Sequence, residues 1–225
     1  MKPFNNSYLL KIILTMLSLG IPGYLYSQTI GSGPKPQFLF TDFNMSKVKM
    51  KNSQVNTTLM NYNTVTERMV FIKDNKYFDL TNYQMVDTVY LNDRVFITVG
   101  KAYYEVLLSG PVSLFVQHKG KLRGKPGAYG RTSDVSSNYY LSSINTTEGM
   151  INLPLPPDYI VEVTTIYWIR KDNEWFNFAS EKQLLKLFPE KGVQLKNFIK
   201  ENRLKIDKPE HLKKLVDYYN SLAVK

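Results

Sequence analysis

The chain contains no cysteine among its 225 residues. A disulfide, a thiolate metal ligand and a lipid-modified cysteine anchor are therefore all excluded. Histidine is nearly as scarce, with only His118 and His211, which leaves little material for general acid–base work or a metal centre. The sequence holds no His-Glu-x-x-His, no Asp-rich calcium loop and no Gly-x-Ser-x-Gly elbow. Gly124-Lys125 imitates part of a phosphate loop, but Pro126 stands where that motif needs Ser or Thr. No cofactor or metal is expected, and the chain reads as a non-enzyme. Acidic residues are also outnumbered, 19 against 29 basic, for a net charge of +10.

Long apolar runs are lacking too. Ile12–Leu19 follows Lys2 and Lys11 and precedes Gly20, Pro22 and Gly23, and it is too short for a bilayer span of ~20 residues. That order of charge, apolar run and break is that of a secretory signal peptide over residues 1–27, with cleavage after Ser27. Its loss would remove two lysines and no acid, leaving 27 basic residues against 19 acidic, or +8. No transmembrane segment is expected in the mature chain. An exported basic protein is expected to meet anionic envelope polymers or acidic protein surfaces rather than nucleic acid. The expected location is periplasmic, outer-membrane-associated or secreted.

What is present in quantity is strand-forming sequence. Residues 28–37 (QTIGSGPKPQ) read as a flexible arm. Strands are expected at Phe38–Phe43, Lys47–Lys51, Gln54–Asn61 and Arg68–Lys73, with the alternating Lys47, Lys49 and Lys51 suited to an exposed edge or a solvated face. Thr88–His118 reads as a four-stranded meander with turns at Asn92-Asp93, Gly100-Lys101-Ala102 and Gly110-Pro111. Lys-Asp-Asn occurs at Lys73 and again at Lys171, each time between apolar and aromatic residues. Asp and Asn tolerate the left-handed backbone of a tight turn, so both mark hairpins. The second is formed by Asp158–Arg170 and Glu174–Phe178, and Trp168 and Trp175 in it read as core aromatics.

Three short helices should close the chain. Ser180-Glu-Lys-Gln183 and Asp207-Lys-Pro-Glu210 have the form of capping boxes, and a middle helix spans Glu190–Asn202. The fold class is α+β: an antiparallel β-rich module over 38–178, built of meander and hairpins, then a helical cover over 179–225 in the same domain. A chain ending in charged helices does not have the closing strand expected of an outer-membrane barrel.

Lys119–Arg131 (KGKLRGKPGAYGR) concentrates five basic residues and four glycines and reads as a flexible cationic loop. Its Lys119, Lys121, Arg123, Lys125, Tyr129 and Arg131 are the candidate binding residues. Thr132–Thr147 is a long polar segment, and Pro154, Pro156 and Pro157 mark a boundary after it. His118 is expected at a strand end beside the loop, and His211 on an exposed helical turn. Carboxylates for a glycosidase-like pair would come from Glu105, Glu162 and Glu174, with no spacing that selects two of them.

The segments LLKLFPEKGVQLKNFIKENRLKI, KLVDYYNSL, LMNYNTVTERMVFI and KGKLRGKPGAYG resemble a group of exported, uncharacterised Bacteroidota proteins. The resemblance covers most of the mature chain. It implies an envelope location and brings no activity, ligand or catalytic residue with it. Asp87-Thr88-Val89 is similar to the site at which that phylum O-glycosylates exported proteins, which makes Thr88 a candidate for modification. The expected function is an accessory or binding protein that engages an envelope protein or anionic polymer through the basic loop. The competing class is a hydrolase acting on envelope glycans.

Overall fold

The computed structural model describes residues 35–124 and 159–223. The signal-peptide and most of the arm, Lys125, Tyr129, Arg131, the polar segment and the three prolines lie outside the described residues. Ten strands form one sheet: β1 Asn44–Met50, β2 Val55–Asn63, β3 Arg68–Lys73, β4 Lys76–Asp79, β5 Val86–Leu91, β6 Arg94–Val99, β7 Ala102–Leu108, β8 Ser113–Gly124, β9 Tyr159–Lys171 and β10 Glu174–Phe178. Their order is β10-β9-β8-β7-β6-β5-β1-β2-β3-β4, with every neighbouring pair antiparallel. The chain makes a four-stranded run to one edge, then returns so that β5 pairs with the other side of β1. From there it runs as a second meander to the opposite edge.

Turn chemistry sets three of the hairpins. Asp74-Asn75, Asn92-Asp93 and Asp172-Asn173 all have both central residues at positive φ, between 49° and 64°. That is the backbone whose twist matches a two-residue hairpin, and short Asx side chains tolerate it. The meander therefore folds as its sequence indicates. Lys47 and Lys49 do lie on an exposed face, but β1 is a central strand and not an edge.

Phe38–Phe43 is not a strand. Apart from a single bridge to Asn63, it runs as turns and bends, because the buried Asn61 side chain replaces a ladder. Asn61 Oδ1 accepts from Phe40 N at 3.2 Å, and its Nδ2 donates to Phe40 O at 2.8 Å and Asp42 O at 3.0 Å. The described end of the expected flexible arm is docked as well: Gln37 O accepts from Thr64 N at 2.8 Å, and Lys35 Nζ donates to Tyr77 Oη at 3.0 Å.

The sheet curls until its two halves meet. Four strands separate β2 from β8 in the sheet order, yet Gly120 N donates to Thr64 O at 2.8 Å and Tyr62 Oη to His118 O at 3.0 Å, while Tyr103 N donates to Glu67 O at 3.2 Å. The β2–β3 turn thus seats where β8 outruns β7. Gly120 permits this approach, since a Cβ there would meet Val161 Cγ1 at 2.9 Å as well as the Thr64 hydroxyl. The concave side encloses Val48, Met60, Tyr62, Met69, Val86, Val89, Leu91, Phe96 and Tyr103.

At the β8–β10 end the same side is filled by helices instead. These are α1 Glu181–Lys186, α2 Gly192–Glu201 and α3 Pro209–Ala223, with a 3-10 turn at Pro189–Lys191, while a separate 3-10 turn at Tyr83–Met85 links β4 to β5. Ser180 caps α1 by accepting from Gln183 N, and Gln183 accepts in return from Ala179 N. Leu184, Leu195, Ile199, Leu212, Leu215, Val216 and Tyr219 share one core with Val112, Leu114, Ile169 and Phe178. The fold is α+β, an antiparallel β-rich body followed by helices, and the helices are part of its core.

Candidate functional site

Successive residues of a strand point to opposite faces. On β8, Leu114, Val116 and His118 therefore face the core side, while Phe115, Gln117, Lys119, Lys121 and Arg123 face the other. The expected flexible loop is corrected here: Lys119–Gly124 is the end of β8, paired residue by residue with β9, Lys121 opposite Glu162 and Arg123 opposite Ile160. Glycine and lysine content made the segment look irregular, but Gly120 is the residue that lets the β2–β3 turn close. Lys119, Lys121 and Arg123 thus form a row on a paired strand, with alternate side chains ~7 Å apart.

Beside that row lies an aromatic cluster. Phe115 pairs with Trp168 across β8 and β9, and Arg170 with Trp175 across β9 and β10. Tyr104 on β7 lies 5.6 Å from Trp168 and 5.9 Å from Trp175, and Phe115 lies 4.7 Å from Trp175, between ring centroids. Tyr104 and Phe115 are buried beneath the two indoles, which are half-exposed. Both tryptophans therefore sit on the face away from the helices, and not in the core where sequence placed them. The Arg170 guanidinium stands 5.9 Å from the Trp175 ring.

A polar chain fixes one indole. Trp168 Nε1 donates to Gln117 Oε1 at 3.0 Å, Gln117 Nε2 donates to Glu67 Oε2, and Glu67 Oε1 pairs with Lys119 Nζ at 3.3 Å. Glu67 reaches this place from the β2–β3 turn, where its own φ is 56°. Arg123 Nε pairs with Glu162 at 2.6 Å at the far end of the row. The result is an oriented aromatic platform with cations along one side, which suits stacking on a sugar ring and pairing with its acidic groups.

On the concave face a second polar group is closed off. His118 Nε2 lies 2.6 Å from Glu105 Oε2, which also accepts from Arg94 Nη1 at 3.2 Å. Glu105 and His118 are each 8% exposed. His118 is thus mid-strand and buried, not at a strand end. Burial pushes the neighbouring Tyr62 phenol far above its ordinary value, so it acts as a hydrogen-bond donor and not a base. No family model, curated protein or solved structure matches the chain.

The three carboxylates considered for catalysis are kept apart. Glu105 faces the concave side and Glu162 the opposite one. Glu174 opens β10, nearly the length of β9 from Glu162, or ~30 Å. No group of three or more His, Asp or Glu among the described residues is placed to hold a metal ion, and no described helix is long and apolar enough to cross a membrane. Thr88 sits on central strand β5 opposite Lys49 and Ile97, its hydroxyl donating to Asp87 at 3.2 Å. His211 Nδ1 accepts from Lys205 N at 2.9 Å, which ties the turn before α3 and gives that histidine a structural task. The Trp168–Gln117–Glu67 chain was not legible in sequence, since its members lie 50 and 51 residues apart.

Proposed function

We propose that the protein is a non-catalytic, exported binding protein of the cell envelope that holds an anionic, sugar-containing polymer across the outer face of β7–β10. The observation that carries this is the Trp168 indole, locked by Gln117 and Glu67 beside the row Lys119, Lys121 and Arg123. An aromatic side chain held in one orientation on a strand is pre-organised, so little conformational freedom is lost when a ring stacks on it. The adjacent cations select acidic over neutral polymers. The signal-peptide pattern and the resemblance to exported Bacteroidota proteins support the envelope setting. The hydrolase reading gains nothing from the separation of Glu105, Glu162 and Glu174.

The chain has only two tryptophans, Trp168 and Trp175, and both belong to the platform. Intrinsic fluorescence therefore reports directly on it. Titration with an acidic polysaccharide from the envelope should quench or shift the emission saturably, while a neutral glucan should not. Trp168→Ala should weaken the acidic polymer about tenfold, and Lys121→Ser should lower both affinity and its salt dependence. Absence of any response to acidic polymers in the wild type would overturn the proposal.

A further inference from the structure

Four of the eight exposed large apolar side chains among the described residues share one surface. Met45, Val55, Leu59 and Tyr90 are 66%, 56%, 38% and 45% exposed, and all four share the outer face of β1, β2 and β5. Strand register makes them neighbours: Met45 is opposite Leu59, Lys47 opposite both Thr57 and Tyr90, and Lys49 opposite Val55. Val95, opposite Tyr90, extends the field onto β6. A shallow groove of about 820 Å³ runs across it, lined by Met45, Lys47, Lys49, Val55, Tyr90 and Val95 among others. A clustered apolar field of this kind on a protein surface marks an interaction site.

Its charges indicate the partner. Lys49 pairs with Asp87 at 3.0 Å, and that lysine holds the Asp87 carboxyl below its ordinary value. Lys47 has no ion-pair partner among the described residues and stands between Met45 and Tyr90. Lys51 follows just after the strand, and Asp93 at the β5–β6 turn is the one acid among the groove's lining residues, against Lys47, Lys49 and Arg94. The unneutralised charge inside the apolar field is therefore positive. Lysine ammonium groups and a tyrosine hydroxyl interleaved with methionine, valine and leucine form an interfacial mixture, in which apolar groups enter acyl chains and polar tips stay at the headgroups. We propose that the outer face of β1, β2 and β5 docks on the surface of a phosphate-bearing lipid leaflet. This site is separate from the Trp168 platform and goes beyond the polymer-binding reading.

Sedimentation of the full chain with vesicles tests it, using phosphatidylglycerol mixed with phosphatidylcholine against phosphatidylcholine alone. Wild type should sediment with the anionic vesicles and stay in solution with the neutral ones. A Met45→Ser/Val55→Ser variant and a Lys47→Glu variant, all at exposed positions and checked for native near-ultraviolet dichroism, should each lose about tenfold in partitioning. Trp168→Ala should sediment as wild type does, which separates this site from the platform. Any binding carried by residues 1–27 would persist in the variants, so equal sedimentation of all chains overturns the proposal. Failure of wild type to sediment overturns it as well. Loss in Lys47→Glu with no change in Met45→Ser/Val55→Ser overturns it too, because the apolar field then takes no part.

Discussion

Asn220 of α3 holds both backbone groups of Val112: its Oδ1 accepts from Val112 N at 3.0 Å and its Nδ2 donates to Val112 O at 2.9 Å. The amide thus does for the β7–β8 turn what a neighbouring strand would do, and it does so from the last helix. Gly110 leaves room for it, since a Cβ there would come within 2.8 Å of Asn220 Nδ2. Asn220→Ala should strand two buried backbone groups and lower unfolding free energy by about 2 kcal/mol. Denaturant titration would show it. A loss near zero would mean that water replaces the amide at that turn.

Glu105 and His118 should matter to stability through each other. Removing the carboxylate by Glu105→Ala leaves His118 without its acceptor in a closed interior and deprives Arg94 of its partner. A loss of about 3 kcal/mol is expected. If the double variant Glu105→Ala/His118→Ala loses the sum of the two single losses, the 2.6 Å contact carries no coupling.

Two glycines should respond in opposite directions. Gly120→Ala places a methyl against Val161, Val65 and the Thr64 hydroxyl where the sheet closes, at a cost of about 2 kcal/mol. Gly192 begins α2 with nothing near its missing Cβ, so Gly192→Ala should stabilise by about 0.5 kcal/mol. Thermal unfolding of both variants checks the pair. A neutral Gly120→Ala would remove the argument for tight closure.

Asp79 supplies a pH dependence. Burial raises its carboxyl above the ordinary 3.8, in spite of the hydrogen bond from Arg68. The folded state then binds this proton more tightly than the unfolded state does. The resulting stability is present below pH 3.8 and is lost as pH rises through the folded value. Asp79→Asn does not titrate there. Between about pH 3.5 and about pH 7, the stability difference should therefore move in favour of the variant. An unchanged difference across that range would contradict the assignment.

How much of this was legible beforehand depended on distance along the chain. Asp74-Asn75, Asn92-Asp93 and Asp172-Asn173 announce their hairpins because the turn is a property of adjacent residues. Ser180 and Gln183 announce α1 for the same reason. Phe38–Phe43 misled because its apolar pattern is that of a strand, while the decision belonged to Asn61, some twenty residues away. Lys119–Gly124 has the glycine content of a flexible loop, but its Gly120 provides clearance for Thr64. The indole lock had no local signal, because the partners of Gln117 lie 50 and 51 residues away along the chain.

The long strand β8 is a wall common to two rooms. Its Leu114 belongs to the room roofed by α3, and its His118 and Gly120 complete the room enclosed by the curled sheet. Synthesis supplies the parts in an unhelpful order. Tyr62 and Phe96 are made well before the strand that shelters them, and Leu114 waits for Leu212 and Leu215 near the end of the chain. A chain cut after Gly124 would have every strand of the first room and no roof on the second. The two interiors thus share one strand, and the final helix packs on a wall to which it contributes no strand.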